Sequence, residues 1–175
     1  MASRLVAATD LPLTPVTRQR VIYADTDRMG VVYHATYLRF LEHARVEHIR
    51  SMGFAYADME RMGYGLPVID LAVTYLASAI YDDVVTVHVA MAKLTPARIH
   101  FVYRLTVEAG DRHDFHGVGG RAGEPGEALE LVRAETRHAC ITLDDGRAAR
   151  IPDPIFDMLE RHWDERARSR QDRTS

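Results

Sequence analysis

Residues 23–53 read YADTDRMGVVYHATYLRFLEHARVEHIRSMG, and this stretch decides the fold. It opens on an acidic loop, Asp25-Thr26-Asp27. Carboxylates at such positions bond their own backbone and favour turns over strand. Gly30 can take a positive φ and let the chain reverse. Val31-Val32-Tyr33 suits either a helix or a strand, and from about His34 the pattern is helical. Tyr37/Leu38, Leu41, Ala44, Ile49 and Met52 form an apolar stripe near the 3.6 period, widened by Phe40 and Val46. Arg39, Glu42, Arg45, Glu47 and Arg50 supply charge, with Glu47 and Arg50 at an i, i+3 spacing. Gly53 is the expected stop. A helix this apolar needs a sheet to cover it.

The rest of the chain supplies that sheet. Val16 to Tyr23 reads as a strand before the acidic loop. After the helix, residues 54–66 read as a helical turn and loop. Pro67–Leu76 is a strand with Ile69, Leu71, Val73 and Tyr75 on one face. Asp82-Asp83 makes a turn into Val84–Met91, Thr95-Pro96 breaks the chain, and Arg98–Glu108 follows. Residues 109–127 hold six of the eleven glycines and read as a loop. Ala128–Leu143 is a further strand. Asp153 as N-cap and Pro154 at N1 then start a short helix held by Ile155, Leu159 and Trp163. Consecutive strands without crossovers imply antiparallel pairing. The expectation is an α+β fold, one curved antiparallel sheet wrapped around one long helix. Residues 1–15 are expected to form a flexible arm, 16–163 one domain and 164–175 a flexible tail.

Composition narrows the function classes. The chain has 175 residues, 47% apolar and 27% charged, with net charge −3. That is ordinary for a globular domain and offers no basic field for nucleic acid. One cysteine, Cys140, excludes an intrachain disulfide and reads as a small core residue. No run has the length of a membrane-spanning helix, and residues 1–15 lack the apolar core of a secretory signal, so a cytoplasmic setting is expected.

The run Tyr23-Ala24-Asp25-Thr26-Asp27, Gly30-Val31-Val32-Tyr33-His34-Ala35, Tyr37-Leu38, Phe40, Glu42 and Ala44-Arg45 resembles the signature of hotdog-fold acyl-CoA thioesterases. The branch is the 4-hydroxybenzoyl-CoA thioesterase family, with its Tol–Pal-associated bacterial members. Val73-Thr74-Tyr75 followed by Tyr81-Asp82-Asp83 resembles that family's central strand and the turn after it. The likeness spans roughly residues 16–160; the long 109–127 stretch and the arm before Thr14 depart from it. It implies a hotdog fold and hydrolysis of an acyl- or aryl-CoA thioester without metal or cofactor. It also implies a homodimer or homotetramer with active sites at the dimer interface.

Thioester hydrolysis needs an activated water or a nucleophile, and stabilisation of charge on the carbonyl oxygen. Asp27, read as lying just before a helix N-terminus, can serve as base or nucleophile. The first N–H groups of a helix lack intrahelical acceptors and can polarise a carbonyl. In the resemblance Asp27 matches the catalytic aspartate, the His34 N–H the polarising donor, and the His34 side chain a position that orients substrate or water. The competing role for Asp27 is to cap the helix. Asp25 reads as a turn former. Tyr33, Lys93 and Arg98 are the candidate substrate-binding residues, the two cations flanking the Thr95-Pro96 break where phosphates could be held. His43 and Glu47 could share a metal but read as a solvated pair. Two other functions compete: a non-catalytic acyl-CoA-binding module, and a hotdog hydratase or dehydratase. The seven-residue Asp27–His34 spacing, with no Asn between, speaks against the latter.

Overall fold

The structure, a computed structural model, describes residues 11–112 and 127–174. Strand β1 (Thr14–Arg20) leads through a 3-10 turn to the loop containing Asp27 and then to helix α1 (Thr36–Ser51). A short helix α2 (Tyr56–Arg61) and a two-residue strand β2 (Tyr64–Gly65) follow. Strands β3 (Val68–Tyr75), β4 (Val84–Thr95), β5 (Arg98–Val107) and β6 (Leu129–Ala139) come next, then β7 (Ile141–Thr142) and α3 (Asp153–Thr174). The main sheet is antiparallel, in the order β1-β4-β5-β6-β3, and β2 pairs with β7 in a small second sheet. This is the α+β architecture expected from the sequence. Among the described residues no helix is long and apolar enough to cross a membrane.

Helix α1 buries Tyr37, Phe40, Leu41, Ala44 and Ile49 against the inward residues of the sheet. Val85, Val87, Val89 and Met91 of β4 face it together with Phe101, Tyr103 and Leu105 of β5. Each large apolar side chain so covered contributes roughly 1.5–3 kcal/mol before ordering entropy is charged against it. Arg45 and His48 share this buried face, although their polarity set them apart from the stripe in the sequence. Cys140 is fully buried, and that burial pushes its thiol pKa up.

Two boundaries differ from expectation. Leu11 and Leu13 are not part of a loose arm. They pack on Ala90 and Val102, an apolar spot on the outer face of the sheet, and Thr14 already pairs with Val89. The helix expected to end near Asp164 runs on to Thr174, because Glu, Arg, Ala and Gln are good helix formers even where no apolar stripe marks the segment. Strand β3, which carries Ile69, Leu71, Val73 and Tyr75 on one face, is an edge strand with a register shift between Val68 and Asp70, and Ile69, Leu71 and Tyr75 stay about half exposed. Most of the glycine-rich stretch, 113–126, lies outside the described residues, as do positions 1–10. Its start forms a 3-10 turn, and Asp111 there pairs with Arg18 of β1.

Candidate active site

The acidic loop is a tight reversal. Asp27 N–H donates to the Val31 carbonyl at 2.9 Å, and Gly30 N–H donates back to the Asp27 carbonyl at 2.9 Å. Gly30 has φ +77°, the left-handed conformation that this closure requires and that side chains disfavour. The Asp27 carboxylate accepts the Met29 N–H at 2.8 Å, an Asx turn that fixes its direction. Thr26 bridges Val32, and Val31 bridges Ile80, so the returning limb is stitched to the segment after β3.

Asp27 therefore does not sit at the helix N-terminus, as read from the sequence. Eight residues separate it from Thr36, and its carboxylate holds its own turn rather than capping α1. The intervening Val31-Val32-Tyr33 run is neither helix nor named strand; it bonds to both neighbours instead. Val32 N–H donates to the Ala79 carbonyl and Tyr33 N–H to the Asp25 carbonyl, both at 2.9 Å.

Asp25 is the structural pivot. It is buried, its Oδ2 accepts the Ile22 N–H at 3.1 Å, and Oδ1 pairs with Arg39 of α1. Its carbonyl also accepts the Thr36 hydroxyl at 3.3 Å. One aspartate thus ties the loop to the first two turns of the helix.

Just ahead of α1, the N–H groups of His34 and Ala35 donate to no acceptor among the described residues. The His34 carbonyl accepts the Tyr75 hydroxyl at 3.0 Å from the end of β3. The His34 ring lies between Tyr33, centroids 4.4 Å apart, and the edge of Tyr75 at 6.4 Å. Tyr37 accepts the Ala79 N–H at 3.0 Å, and burial pushes its pKa up to about 12, so it is a fixed neutral anchor. Chemically the segment offers a proton-accepting carboxylate with little engagement beyond one N–H, and two main-chain donors free for a developing oxyanion.

The candidate residues do not all converge within one chain. Tyr33, His34 and the Asp27 loop gather at the Val84 end of β4, reached through Ile80 and Asp83. Lys93 and Arg98 lie in the β4–β5 hairpin at the opposite end, roughly 30 Å away along the strand. His43 is exposed on α1, and Glu47 pairs with Arg50 at 3.2 Å, the solvated arrangement. Sequence reading missed Tyr75 as a support for His34 and Arg39 as the partner of Asp25. Both depend on contacts distant in the chain. It also grouped Arg45 with the other charges of the helix, although the i, i+4 steps Tyr37–Leu41–Arg45 place it on the buried stripe.

Comparison with known proteins bears on this site. The model of the thioesterase-like superfamily matches residues 21–159. The chain is 40% identical over 87 residues to the acyl-CoA thioesterase YbgC of Haemophilus influenzae, covering 49% of this chain and 64% of that protein's length. A DHNA-CoA thioesterase from Staphylococcus aureus of known structure is 31% identical, covers 89% of each chain and superposes with a TM-score of 0.65. The structure of 4-hydroxybenzoyl CoA thioesterase complexed with 4-hydroxybenzoyl CoA superposes at 0.65 over 81% of this chain and 95% of its own. At 18% identity that likeness speaks to the hotdog fold alone.

Proposed function

The chain belongs to the thioesterase-like superfamily, and from that premise we propose that it is an acyl-CoA thioesterase, releasing a free acid and coenzyme A. The observation that carries the reading is that one short segment holds both the Asp27 carboxylate, fixed by its Asx turn, and the unengaged N–H groups of His34 and Ala35. Asp27 acts as base or nucleophile. As base, it takes a proton from water while the oxygen adds to the thioester carbon. Negative charge moves onto the carbonyl oxygen, where the His34 N–H stabilises it. Collapse breaks the C–S bond, and the thiolate of coenzyme A takes up the proton. The His34 and Tyr33 side chains, next to each other at the helix start, orient the acyl end.

The working unit in this proposal is a homodimer. Edge strand β3 presents Ile69, Leu71 and Tyr75, which pair with a second copy across a two-fold axis. Antiparallel pairing of the two β3 strands brings one chain's Tyr75 end against the partner's Val68 end. Val68 pairs with His138 and Arg98 with Ala139, so the partner's Arg98 lies two strands beyond, about 10 Å away. The partner's Lys93 stands on the same hairpin. The basic hairpin is thereby carried toward the His34 site, where it serves the phosphates of coenzyme A. A substrate of this class and a single cysteine suit a cytoplasmic protein.

A thiol-release assay over saturated, ω-carboxy and aryl CoA esters tests the proposal. Release from at least one ester, abolished with Asp27→Asn, supports it. Tight binding of acyl-CoA without release of thiol would overturn it in favour of a non-catalytic binding module.

A further inference from the structure

A cleft of about 550 Å³ runs between α1 and the edge of the sheet, with Leu38 and Leu41 on one wall, Val68 and Leu71 on the other, and Tyr103 with Thr136 behind. It starts beside the reaction loop, because Arg39 at its rim is the residue that pairs with Asp25. Arg45 also lines it, and Arg45 is the anomaly. The residue is only 8% exposed, yet its side chain makes no hydrogen bond and no ion pair among the described residues, and its Nη1 is sealed from solvent without an acceptor. The Tyr56 ring lies 5.8 Å from its guanidinium carbon, a polarisable neighbour without charge.

The local groups leave that charge unmet. Glu42, three residues away at the same cleft, is exposed and forms no ion pair with it. Tyr103 and Thr136 offer no anion: they are neutral hydroxyls bonded to each other at 2.9 Å, with Thr136 a further 2.9 Å from His138 Nε2. A buried lysine could shed its proton, but a guanidinium cannot. An unpaired buried charge is costly, so the fold retains it where something else supplies the anion.

We propose that this cleft is the acyl pocket and that Arg45 binds a carboxylate at the far end of the acyl group, making the substrate a CoA monothioester of a dicarboxylic acid. The inference rests on the thioesterase reading and specifies its substrate class. A carboxylate matches the guanidinium fork with two parallel hydrogen bonds. Leu38, Leu41, Val68 and Leu71 give the cleft apolar walls between its polar groups, which suits a methylene chain between the two ends. The nine helical steps from Thr36 to Arg45 span about 13 Å, and side chains lean toward the helix N-terminus, which suits a diacid of about six to ten carbons.

The test compares suberoyl-CoA with octanoyl-CoA, and adipoyl-CoA with hexanoyl-CoA, by thiol release from the full-length protein. The wild type is expected to favour the ω-carboxy ester at least tenfold in kcat/KM. Arg45→Met should invert that preference mainly through KM, and Arg45→Lys should recover part of it. Methionine fills a similar volume without charge, so the variant is expected to fold. An equal ratio in wild type and Arg45→Met overturns the inference and leaves thioester hydrolysis standing. So does loss of the dimer in Arg45→Met by sedimentation, which would assign the missing anion to a second copy. Should no ester be hydrolysed, the thioesterase reading fails separately. Calorimetric binding of free suberate against octanoate then decides the pocket: no preference for suberate in the wild type, or one kept by Arg45→Met, overturns it.

Discussion

The Tyr75 hydroxyl, at the last residue of edge strand β3, donates to the main-chain carbonyl of His34 across 41 residues of sequence at 3.0 Å. The bond orients the peptide after His34, which carries the Ala35 N–H, one of the two donors open to the thioester oxygen. Tyr75→Phe keeps the ring packing against His34 and Tyr37 and removes only this bond. Its kcat should fall about 3- to 10-fold, the worth of one hydrogen bond of about 1 kcal/mol, with the melting temperature nearly unchanged. A larger loss in KM than in kcat would show that Tyr75 contacts substrate instead of positioning His34.

Asp27 and Asp25 should part company when mutated. Asp27→Asn keeps the Asx turn and loses the base. Turnover should drop roughly 10²–10⁴-fold in a protein of unchanged stability. Asp25→Asn breaks a buried carboxylate away from Arg39 and should destabilise the fold by about 1–3 kcal/mol. Urea unfolding alongside thiol-release kinetics separates the two. A folded Asp27→Asn protein with near wild-type turnover would remove Asp27 from the chemistry.

Ile69→Lys tests the assembly. The residue is exposed on edge strand β3 and lies outside the cleft, and charge on an edge blocks pairing. The wild type should sediment as a dimer or larger at micromolar concentration and the variant as a monomer with little activity. Wild type sedimenting only as monomer would refute the shared site.

His138 gives a pH signature. It is fully buried, with Nδ1 3.0 Å from the Leu66 carbonyl, so Nδ1–H donates there and Nε2 accepts from Thr136. Burial, the leading cause, pushes its pKa down to about 4 from an ordinary 6.5. Between those values the unfolded chain binds a proton that the folded chain refuses, so stability rises with pH there. The contribution is complete above pH 6.5 and lost as pH falls toward 4, up to about 3 kcal/mol. Urea midpoints at pH 7 and 4.5, and the His138 ring protons followed by NMR, measure it. Titration of the folded imidazole near 6.5 would refute the assignment.

Much of the molecule was legible in the chain. The stripe Tyr37, Phe40, Leu41, Ala44 and Ile49 fixed one buried helix, because the 3.6 period leaves those side chains on one side. Four consecutive β-rich runs without crossovers required antiparallel pairing. The acidic loop with Gly30 marked a reversal, since only glycine takes φ +77° cheaply. These are properties of short windows, and short windows dictate local structure.

Tertiary structure alone decided what those windows could not. Whether Ile69 and Leu71 are core or edge depends on which strand β6 meets on its far side, and that is set by pairing order rather than by alternation. Asp25 and Asp27 are two residues apart with the same chemistry; the long-range arrival of Arg39 buries one, while the other is left with a single N–H. Arg45 carries the same charge in sequence as Arg39 or Arg50. Only the sheet closing over α1 turns it into a buried cation in need of an anion, because the energy of a charge is set by what surrounds it.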